Sequence, residues 1–307
     1  MNTSTHRRIA VIGLGSMGGA MAATLHSAGW EVTGFDPSEA ARTAAAAAGI
    51  ATTASVGDVA GTPYAVLSLP AANVVEATVP QLLAAPGTIA IIDTTTSEPA
   101  TSQQMAELAE AQGAAFVDAP VSGGRDGAAT GTLSAFVGAT DGALSAAEPV
   151  LLALTGGKYN HVGGPGSGNV VKLLNNVLAA ANLVSVGEAL GVAKAYGIDP
   201  AKAAASISEA SGGSKVSANT YPHWVLSGTH DSGFSLGLMA RDAALAVEVA
   251  ARIGENPALL AAVAGQWQEA LAALGPRADF TEIARTVAPA ITPAGAPATK
   301  NDTTAVA

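Results

Sequence analysis

A glycine-rich turn directly after the first apolar run constrains this chain more than any other feature. Residues 9–12 read Ile-Ala-Val-Ile and lead into Gly13-x-Gly15-x-x-Gly18, after which a helix-forming run begins. Gly13 permits a tight turn, Gly15 lets the backbone approach a pyrophosphate, and Gly18 lets the next helix lie close to the strand. The turn therefore predicts a dinucleotide site. The alternative is a strand–helix turn without a ligand.

An acidic residue follows at the spacing that such a site requires. Asp36 stands eighteen positions after Gly18, at the end of a predicted strand over 31–36. A carboxylate there can accept both ribose hydroxyls of NAD, and it repels the 2′-phosphate of NADP. An alternative, compatible with the first, is that Asp36 caps the next helix with Pro37 as the first helical residue. We predict NAD as the cofactor, with NADP as the alternative.

The first half of the chain alternates short β-branched runs with alanine-rich helical runs. This pattern is typical of a parallel sheet that is covered on both faces. Strands are predicted at 9–12, 31–36, 64–69, 89–93, 116–119, 134–137 and, more weakly, at 159–162. A Gly-Gly-Pro-Gly stretch at 163–166 then ends this region.

The second half shows only helical periodicity. A long helix is predicted at about 169–196, where twenty-eight residues would span roughly 42 Å. Shorter helices are predicted at about 199–211, 216–226, 237–253, 257–273 and 280–287.

These patterns predict an α/β fold with two domains. Residues 1–165 would form a Rossmann domain with a doubly wound sheet that binds NAD(P). A long interdomain helix would join it to an all-helical domain over 166–290. Residues 291–307 are rich in Pro, Ala and Thr, and we expect them to form a disordered tail.

Composition limits the partners and the compartment. The 307 residues carry 14 Lys and Arg against 24 Asp and Glu, a net charge of −10, which argues against nucleic acid or an anionic membrane surface. There are no cysteines, and no histidine pairs with a carboxylate at metal-ligand spacing, so no metal site is expected. The N-terminus lacks the apolar stretch of a signal peptide, and every apolar window of membrane-spanning length is broken by Gly, Asn or charge. We expect a soluble, cytoplasmic protein.

Two loops after predicted strands carry polar groups. Asp93-Thr-Thr-Thr-Ser97 offers hydroxyls that could touch the nicotinamide or its ribose, or could cap the next helix through Ser97. Asp118-Ala-Pro-Val-Ser122-Gly-Gly places a hydroxyl before two glycines, which expose successive backbone N–H groups. Such a nest suits a carboxylate, and the alternative is an ordinary glycine turn.

Two further polar pairs lie on predicted helices. Lys172 and Asn176 are four residues apart on one face of the long helix. A lone lysine on an apolar helix either extends to solvent or occupies a site where burial makes it a usable acid or base, and the neighbouring Asn176 favours the site. The second pair, Arg241-Asp242, is either a buried ion pair or a cofactor contact.

Taken in order, these motifs resemble those of the β-hydroxyacid dehydrogenase family, which includes 3-hydroxyisobutyrate dehydrogenases and tartronate semialdehyde reductases. The matching motifs, over roughly residues 8–290, are Gly13-Leu-Gly-x-Met-Gly, Asp93-x-Thr-Thr, Asp118-Ala-Pro-Val-Ser-Gly-Gly and Gly168-x-x-x-Lys172-x-x-Asn175-Asn176. The resemblance implies a Rossmann domain, a long helix, a helical domain over 166–290 for substrate binding and dimerisation, and an active site between the domains. It also implies hydride transfer between NAD and the β-hydroxyl carbon of a small carboxylate-bearing substrate.

The resemblance assigns roles to individual residues. Lys172 would be the catalytic acid/base, Ser122, Gly123 and Gly124 would hold the substrate carboxylate, and Asn176 and Phe234 would be further substrate contacts. The cofactor residues would be Gly13, Leu14, Gly15, Ser16, Met17, Gly18, Asp36, Leu69, Pro70, Thr96, Arg241 and Asp242. The family usually has lysine where this chain has Arg241, which keeps the charge but is bulkier and does not lose its proton.

Other classes compete with this interpretation. Imine reductases share the architecture but usually carry Asp or Tyr where Lys172 stands. 6-Phosphogluconate dehydrogenases have a similar cofactor domain, but their helical domain is much larger than residues 166–290. A non-catalytic dinucleotide-binding relative would lack the lysine and carry added basic segments. The glycine-bearing long helix and the apolar C-terminal helices are compatible with a homodimer or homotetramer.

Overall fold

The computed structural model describes residues 7–292, which separate into two compact units. The units meet within one long helix, between Leu174 and Asn175. The first unit contains every strand of the described chain: β1 (Arg8–Ile12), β2 (Glu31–Phe35), β3 (Ala51–Thr53), β4 (Tyr64–Leu67), β5 (Ala90–Asp93), β6 (Ala115–Asp118), β7 (Val121–Ser122), β8 (Ser134–Gly138) and β9 (Tyr159–Gly163).

The sheet of the first unit has the predicted Rossmann topology. Strands β3-β2-β1-β4-β5-β6 are parallel neighbours in that order. Strand β8 pairs antiparallel with β6 and β7, and β9 runs parallel to β8. The strand order reverses between β1 and β4, which opens a crevice at the carboxyl ends of these strands. The turn over 13–18 lies at this point.

Helices cover both faces of the sheet. They are α1 (Ser16–Ser27), α2 (Glu39–Ala47), α3 (Ala72–Leu82), α4 (Pro99–Ala111), α5 (Gly124–Thr130) and α6 (Asp141–Thr155), with a 3₁₀ turn at Val56–Val59. Alternate side chains of β1 therefore enter different cores: Ile9 and Val11 pack on one side of the sheet, and Ala10 and Ile12 on the other. This double burial explains why the four residues of β1 after Arg8 are all apolar.

The second unit is helical. Its elements are α7 (Ser167–Ala195), which begins in the first unit, α8 (Pro200–Ser208), a π-helix (Val216–Val225), α9 (Leu236–Arg252), α10 (Ala258–Leu274), a 3₁₀ turn (Phe280–Ile283) and α11 (Ala284–Val287). The hydroxyl of the buried Tyr221 donates to the carbonyl of Leu183 at 2.6 Å, and Trp267 Nε1 donates to the carbonyl of Ala180 at 3.3 Å. Because two of the largest core side chains use the backbone of α7, that helix is the centre of the unit.

Helix α7 is also long and apolar enough to cross a membrane, judged by length and composition alone. An 18-residue window of it reaches a mean hydropathy of 1.4, and 44 % of that window is buried within the protein. Every 18-residue window of α7 contains Asn182, as expected, but this residue does not lower the mean hydropathy enough to fail the test. Leu183 and Leu190 are fully buried among the helices, so the apolar face of α7 serves the core of this unit.

Most predicted elements agree with the observed ones to within two residues at their ends, and the helix predicted at 280–287 is a 3₁₀ turn followed by a short α-helix. The larger differences are these. Strands β3 and β7 were missed because two or three residues are too short to show alternation. The helix predicted at 216–226 is a π-helix that contains Pro222. The helix predicted to reach 211 ends at Ser208. Ile291, placed in the tail, is buried against the helical core, and residues 293–307 lie outside the described part.

Candidate active site

The glycine turn between β1 and α1 is built as a phosphate cradle. Gly13 has φ +91°, and a Cβ there would lie 2.2 Å from the carbonyl oxygen of Ser68; one on Gly18 would lie 1.8 Å from the carbonyl oxygen of Gly13. A Cβ on Gly15 would meet nothing within 4 Å. Two glycines thus permit close packing, while Gly15 leaves open space beside the N-terminus of α1. The first amides of α1, beginning at Ser16 and Met17, are the donors that a pyrophosphate needs.

Asp36 is held against this turn. Its Oδ2 accepts from the backbone N–H of Leu14 at 2.8 Å, and its Oδ1 accepts from the backbone N–H of Ser38 at 2.8 Å. The carboxylate is half-buried, and each oxygen keeps a second lone pair for a ribose hydroxyl. The side chain of Ser38, not that of Asp36, caps α2, so the capping alternative was wrong.

The loops after β4 and β5 are joined by threonine side chains. Leu69 N–H donates to Thr95 Oγ1 at 3.1 Å, and Thr94 Oγ1 donates to the carbonyl of Leu67 at 2.6 Å. Thr94 and Thr95 are buried, whereas Thr96 is half-buried. The first two hydroxyls therefore fix the loop at the sheet edge, and Thr96 is the threonine of this motif that is left accessible to a ligand.

The carboxylate of Asp118, at the end of β6, binds the start of helix α7. Its Oδ1 accepts from the backbone N–H of Gly166 at 2.7 Å, and its Oδ2 accepts from the backbone N–H of Asn169 at 3.0 Å. Gly166 precedes the first helical residue, Ser167, and has no side chain with which to cap the helix. Asp118 therefore acts as the N-cap from another part of the chain, with its charge at the positive end of the helix dipole.

The side chain of Asn169 joins the same helix to the loop after β5. Its Oδ1 accepts from the backbone N–H of Ser97 at 2.9 Å, and its Nδ2 donates to Ser102 Oγ at 3.0 Å and to Ser97 Oγ at 3.4 Å. Asn169 and Ser102 are fully buried and Ser97 nearly so. Ser97 does not cap α4, whose N-cap residue is Glu98, so that alternative was also wrong.

The Ser122–Gly124 loop follows β6 through the short strand β7. Gly123 has φ +126° and Gly124 has φ +62°, backbone conformations that favour glycine. Both glycines are exposed, and a Cβ on Gly124 would meet nothing within 4 Å. Lys172 lies one turn after Asn169 on α7 and is half-buried.

Asp93 and Asp118 are paired residues on the neighbouring strands β5 and β6. Asp93 Oδ1 accepts from the backbone N–H of Thr95 at 2.9 Å, whereas its Oδ2 has no hydrogen-bond partner within residues 7–292. Burial raises the pKa of each carboxyl to about 7, and the two backbone N–H bonds of Asp118 oppose that rise. Asp118 uses both oxygens as acceptors, so Asp93 is the member of the pair with room for a proton.

Asn176, Arg241 and Asp242 form a chain of contacts in the helical unit. Asn176 Nδ2 donates to Asp242 Oδ2 at 2.7 Å, and Arg241 Nη2 and Nε donate to Asp242 Oδ1 at 2.7 and 3.0 Å. Asp242 is 1 % exposed, so its carboxylate faces these two residues. The ion pair that the sequence allowed between Arg241 and Asp242 is therefore present, and the contact of both residues with the cofactor stays a prediction.

Phe234 belongs to the core of the same unit. It is half-buried and packs edge-to-face on Phe280 with ring centroids 5.7 Å apart. The backbone N–H of Phe280 donates to the carbonyl of Phe234 at 2.9 Å. The aromatic ring is therefore held in place before α9 begins.

The structure brings part of the predicted site together in the Rossmann unit. The glycine turn, Asp36, the loops containing Leu69 and Thr96, the Ser122–Gly124 loop and Lys172 lie there, and Pro70 is exposed after β4. Asn176, Phe234, Arg241 and Asp242 lie in the helical unit. No group of three His, Asp or Glu in the described residues is placed to hold a metal ion.

The sequence indicates Asp118 and Asn169 only as members of motifs, and it does not indicate their hydrogen bonds to the start of α7 and to the loop after β5. It did not single out Ser102 at all. The partners are separated by 48 to 72 positions in the chain, so no local spacing indicates them. The parallel pairing of β5 and β6 places the carboxyl ends of these two strands side by side, and this pairing cannot be inferred from local spacing.

A Rossmann sheet with this glycine turn and with a carboxylate after β2 defines a dinucleotide-binding protein. Two family models match the chain: residues 8–163 match the NAD-binding domain of 6-phosphogluconate dehydrogenase, and residues 166–287 match the NAD-binding domain of NADP-dependent 3-hydroxyisobutyrate dehydrogenase. The chain belongs to the β-hydroxyacid dehydrogenase family, as its motifs predicted, and its cofactor is NAD(P).

Individual relatives agree with this assignment. The 2-(hydroxymethyl)glutarate dehydrogenase of Eubacterium barkeri is 35 % identical over 87 % of this chain and 90 % of its own length. The NAD-dependent L-serine dehydrogenase of Pseudomonas aeruginosa is 37 % identical over 80 % of this chain and 85 % of its own. The solved structure of Mycobacterium tuberculosis 3-hydroxyisobutyrate dehydrogenase with L-serine has a TM-score of 0.84 and 33 % identity, and covers 91 % of this chain and 98 % of that one.

Imine reductases share the fold alone. The enzyme of Streptomyces aurantiacus has a TM-score of 0.61 and 23 % identity over 91 % of this chain and 99 % of its own. The chain is therefore an oxidoreductase of the hydroxyacid dehydrogenase type.

Proposed function

We propose that the chain transfers a hydride between NAD and the β-hydroxyl carbon of a small β-hydroxyacid similar to 3-hydroxyisobutyrate, with Lys172 as the general acid/base. We also propose that it works in the cytoplasm as a homodimer or homotetramer. The relatives named above support the substrate class. The observation that carries the proposal is the side chain of Asp118, which binds the start of the helix that presents Lys172. Asp118 also ends the strand that leads into the Ser122–Gly124 loop.

The substrate carboxylate would bind at Ser122, Gly123 and Gly124. A hydroxyl and successive N–H groups offer several donors, which compensate for the net charge of −10 that opposes the approach of an anion. Bound there, the substrate would be oriented with its β-hydroxyl towards Lys172.

Lys172 in its neutral form would take the hydroxyl proton as the β-carbon is oxidised to an aldehyde or ketone. In the reverse direction its ammonium form would return the proton. NAD supplies the hydride acceptor when bound. Proton transfer by a positioned side chain contributes roughly 10²–10⁴-fold, and orientation supplies much of the remainder.

The remaining residues would position the reactants. Asn176, one helical turn after Lys172, would place the substrate, and Phe234 would border it. Thr96 and Arg241 would contact the cofactor, and Asp36 would select NAD through the ribose. The glycine turn and the loop at Leu69 and Pro70 would hold the dinucleotide.

The test measures initial rates of NADH formation with a panel of hydroxyacids. The panel holds 3-hydroxyisobutyrate, 3-hydroxypropionate, glycerate, serine, threonate and phenylserine. Lys172→Ala should lower kcat by about 10² or more while NADH binding is retained. Lys194→Ala removes an exposed lysine from the same helix and should leave the rate unchanged. Turnover retained by Lys172→Ala, or an inactive wild-type protein that still binds NADH, would refute the proposal.

A further inference from the structure

Four buried polar residues join three segments of the proposed site. Asp118, Asn169, Ser97 and Ser102 form a connected cluster, here called the α7 anchor. Asp118 lies before the Ser122–Gly124 loop, Ser97 directly follows Thr96, and Asn169 precedes Lys172 by three positions. The anchor thus touches the segments that would hold the substrate carboxylate, the cofactor and the acid/base.

The backbone around Asp118 leaves no room for adjustment. A Cβ on Gly138 would lie 2.5 Å from Asp118 Oδ1, and a Cβ on Gly168 would lie 2.4 Å from the carbonyl oxygen of Phe136. A Cβ on Gly166 would lie 2.7 Å from the carbonyl oxygen of Pro99. The first turn of α7 is therefore packed directly on the sheet edge and on the start of α4, with the Asp118 carboxylate between strand and helix.

Asn169 fixes the rotation of helix α7 about its axis, which the bonds to Asp118 alone do not fix. Two backbone N–H bonds to one carboxylate set the height of the helix start above β6. The side chain of Asn169 adds bonds to Ser97 and Ser102 on a different loop and a different helix. Contacts to two neighbouring segments also fix the rotation of α7 about its axis, and that rotation decides where a side chain one turn later points.

We propose that Asp118 and Asn169 are positioning residues for Lys172, and that Asn169 also fixes the loop of Thr96; this inference rests on the proposed function. Neither residue would touch the substrate. They would act by holding the start of α7 so that the amine of Lys172 meets the substrate hydroxyl. A misplacement of about 1 Å can cost roughly 10²-fold in rate, so loss of the anchor should appear in kcat.

The anchor is separable from the stability of the two cores. Further along, α7 is held by buried apolar residues such as Leu183 and Leu190, and the sheet is covered by its own helices. Loss of the Asn169 side chain removes none of these contacts. We expect a folded protein with a displaced lysine rather than an unfolded chain.

The experiment compares Asn169→Ala and Asp118→Asn with the wild-type protein. Asp118→Asn keeps the shape of the side chain, but it turns the N–H of the new amide towards one of the two backbone N–H donors, those of Gly166 and Asn169. Thr155→Val is the matched control, since it removes a buried hydroxyl that donates to the carbonyl of Leu151 at 2.7 Å in the same unit. The readouts are kcat and KM for the best hydroxyacid, the Kd of NADH by fluorescence, and amide hydrogen exchange of residues 94–97 and 167–172.

We expect kcat to fall about tenfold or more in both anchor variants, with changes in KM and in the Kd of NADH below about threefold. Exchange should be faster in the two segments, and Thr155→Val should change none of these values. An unchanged kcat, or an equal loss in kcat and NADH binding, would overturn the proposal.

Two outcomes need a second measurement. If Asn169→Ala does not fold, Ser102→Ala is the variant that tests the proposal, because it removes one hydrogen bond of Asn169. We expect its kcat to be about threefold lower and its amide hydrogen exchange to be faster. No change in either value overturns the proposal. If the wild-type protein oxidises no member of the panel, the proposed function has failed. Amide hydrogen exchange then tests the α7 anchor independently of activity: unaltered exchange of residues 94–97 and 167–172 in Asn169→Ala would refute the structural role of the anchor.

Discussion

Asn176 donates its side-chain amide to the buried carboxylate of Asp242 at 2.7 Å, across 66 positions of sequence. The other oxygen of Asp242 is held by Arg241, whose side chain is 37 % exposed. Asp242 therefore links a surface-accessible cation to a residue of the proposed substrate site. Because the amide of Asn176 is fixed by this acid, its orientation depends on helix α9 as well as on α7.

Asp242→Asn should weaken catalysis more than cofactor binding. The variant keeps the shape of the side chain but loses the ion pair and turns one N–H towards a donor, which should lower the free energy of unfolding by about 1–3 kcal/mol. Since Asn176 loses its fixed orientation, kcat/KM for the hydroxyacid should fall about tenfold. Steady-state rates and fluorescence titration with NADH measure both effects. Arg241→Lys keeps a cation beside Asp242, so its free energy of unfolding and its kcat/KM should fall less than those of Asp242→Asn. A proportionate loss of NADH affinity would instead support the predicted contact of Asp242 with the cofactor.

The glycine turn predicts opposite results for two Gly→Ala changes that are three positions apart. Gly18→Ala should disrupt folding, because its Cβ would lie 1.8 Å from the carbonyl oxygen of Gly13. Gly15→Ala should leave the free energy of unfolding within about 1 kcal/mol, because its Cβ meets nothing in the protein, yet it should weaken NADH binding at least about tenfold by filling the cradle. Urea denaturation and NADH titration distinguish the two variants. Full NADH affinity in Gly15→Ala would place the pyrophosphate elsewhere.

The fold and the cofactor turn could be predicted because they depend on local patterns. The alternation of apolar strands with alanine-rich helices, and the spacing from Gly13 to Asp36, are readable from adjacent residues. The contacts of Asp118 and Asn169 are not, because they depend on which strands become neighbours in the sheet. The partners of Asp242 could not be predicted either: an Arg-Asp pair in the sequence is compatible with an ion pair and with a ligand contact, and the bond from Asn176 joins residues 66 positions apart.

The buried acid Asp93 predicts a stability that falls as pH rises. Burial raises its pKa from 3.8 to about 7, so between these values the folded state binds more protons than the unfolded state. The free energy of unfolding therefore decreases as pH rises through this window, by about 4 kcal/mol at most for one group. Asp93→Asn removes this titration.

The variant should consequently be more stable than the wild-type protein at pH 8, and the difference should shrink towards pH 5. Urea denaturation at the two pH values measures it. Asp141→Asn, at an exposed position, controls for the loss of one charge. A difference between Asp93→Asn and wild type that is the same at both pH values would contradict the prediction.

Cofactor preference should depend on Asp36 and then on Arg42. Arg42 Nη1 donates to the backbone carbonyl of Asp36 at 2.6 Å and to that of Pro37 at 3.0 Å, so a cation is bound to the backbone of the residue whose carboxylate would bind the ribose. In Asp36→Asn the repulsion of a 2′-phosphate is lost while the cation remains. The ratio of the Kd of NADPH to that of NADH should therefore fall at least about tenfold, measured by fluorescence titration. The double variant Asp36→Asn/Arg42→Ala should lose most of this gain, and Arg42→Ala alone should leave NADH binding nearly unchanged. An unaltered ratio in Asp36→Asn would refute the ribose role, and a gain that survives in the double variant would refute the role of Arg42.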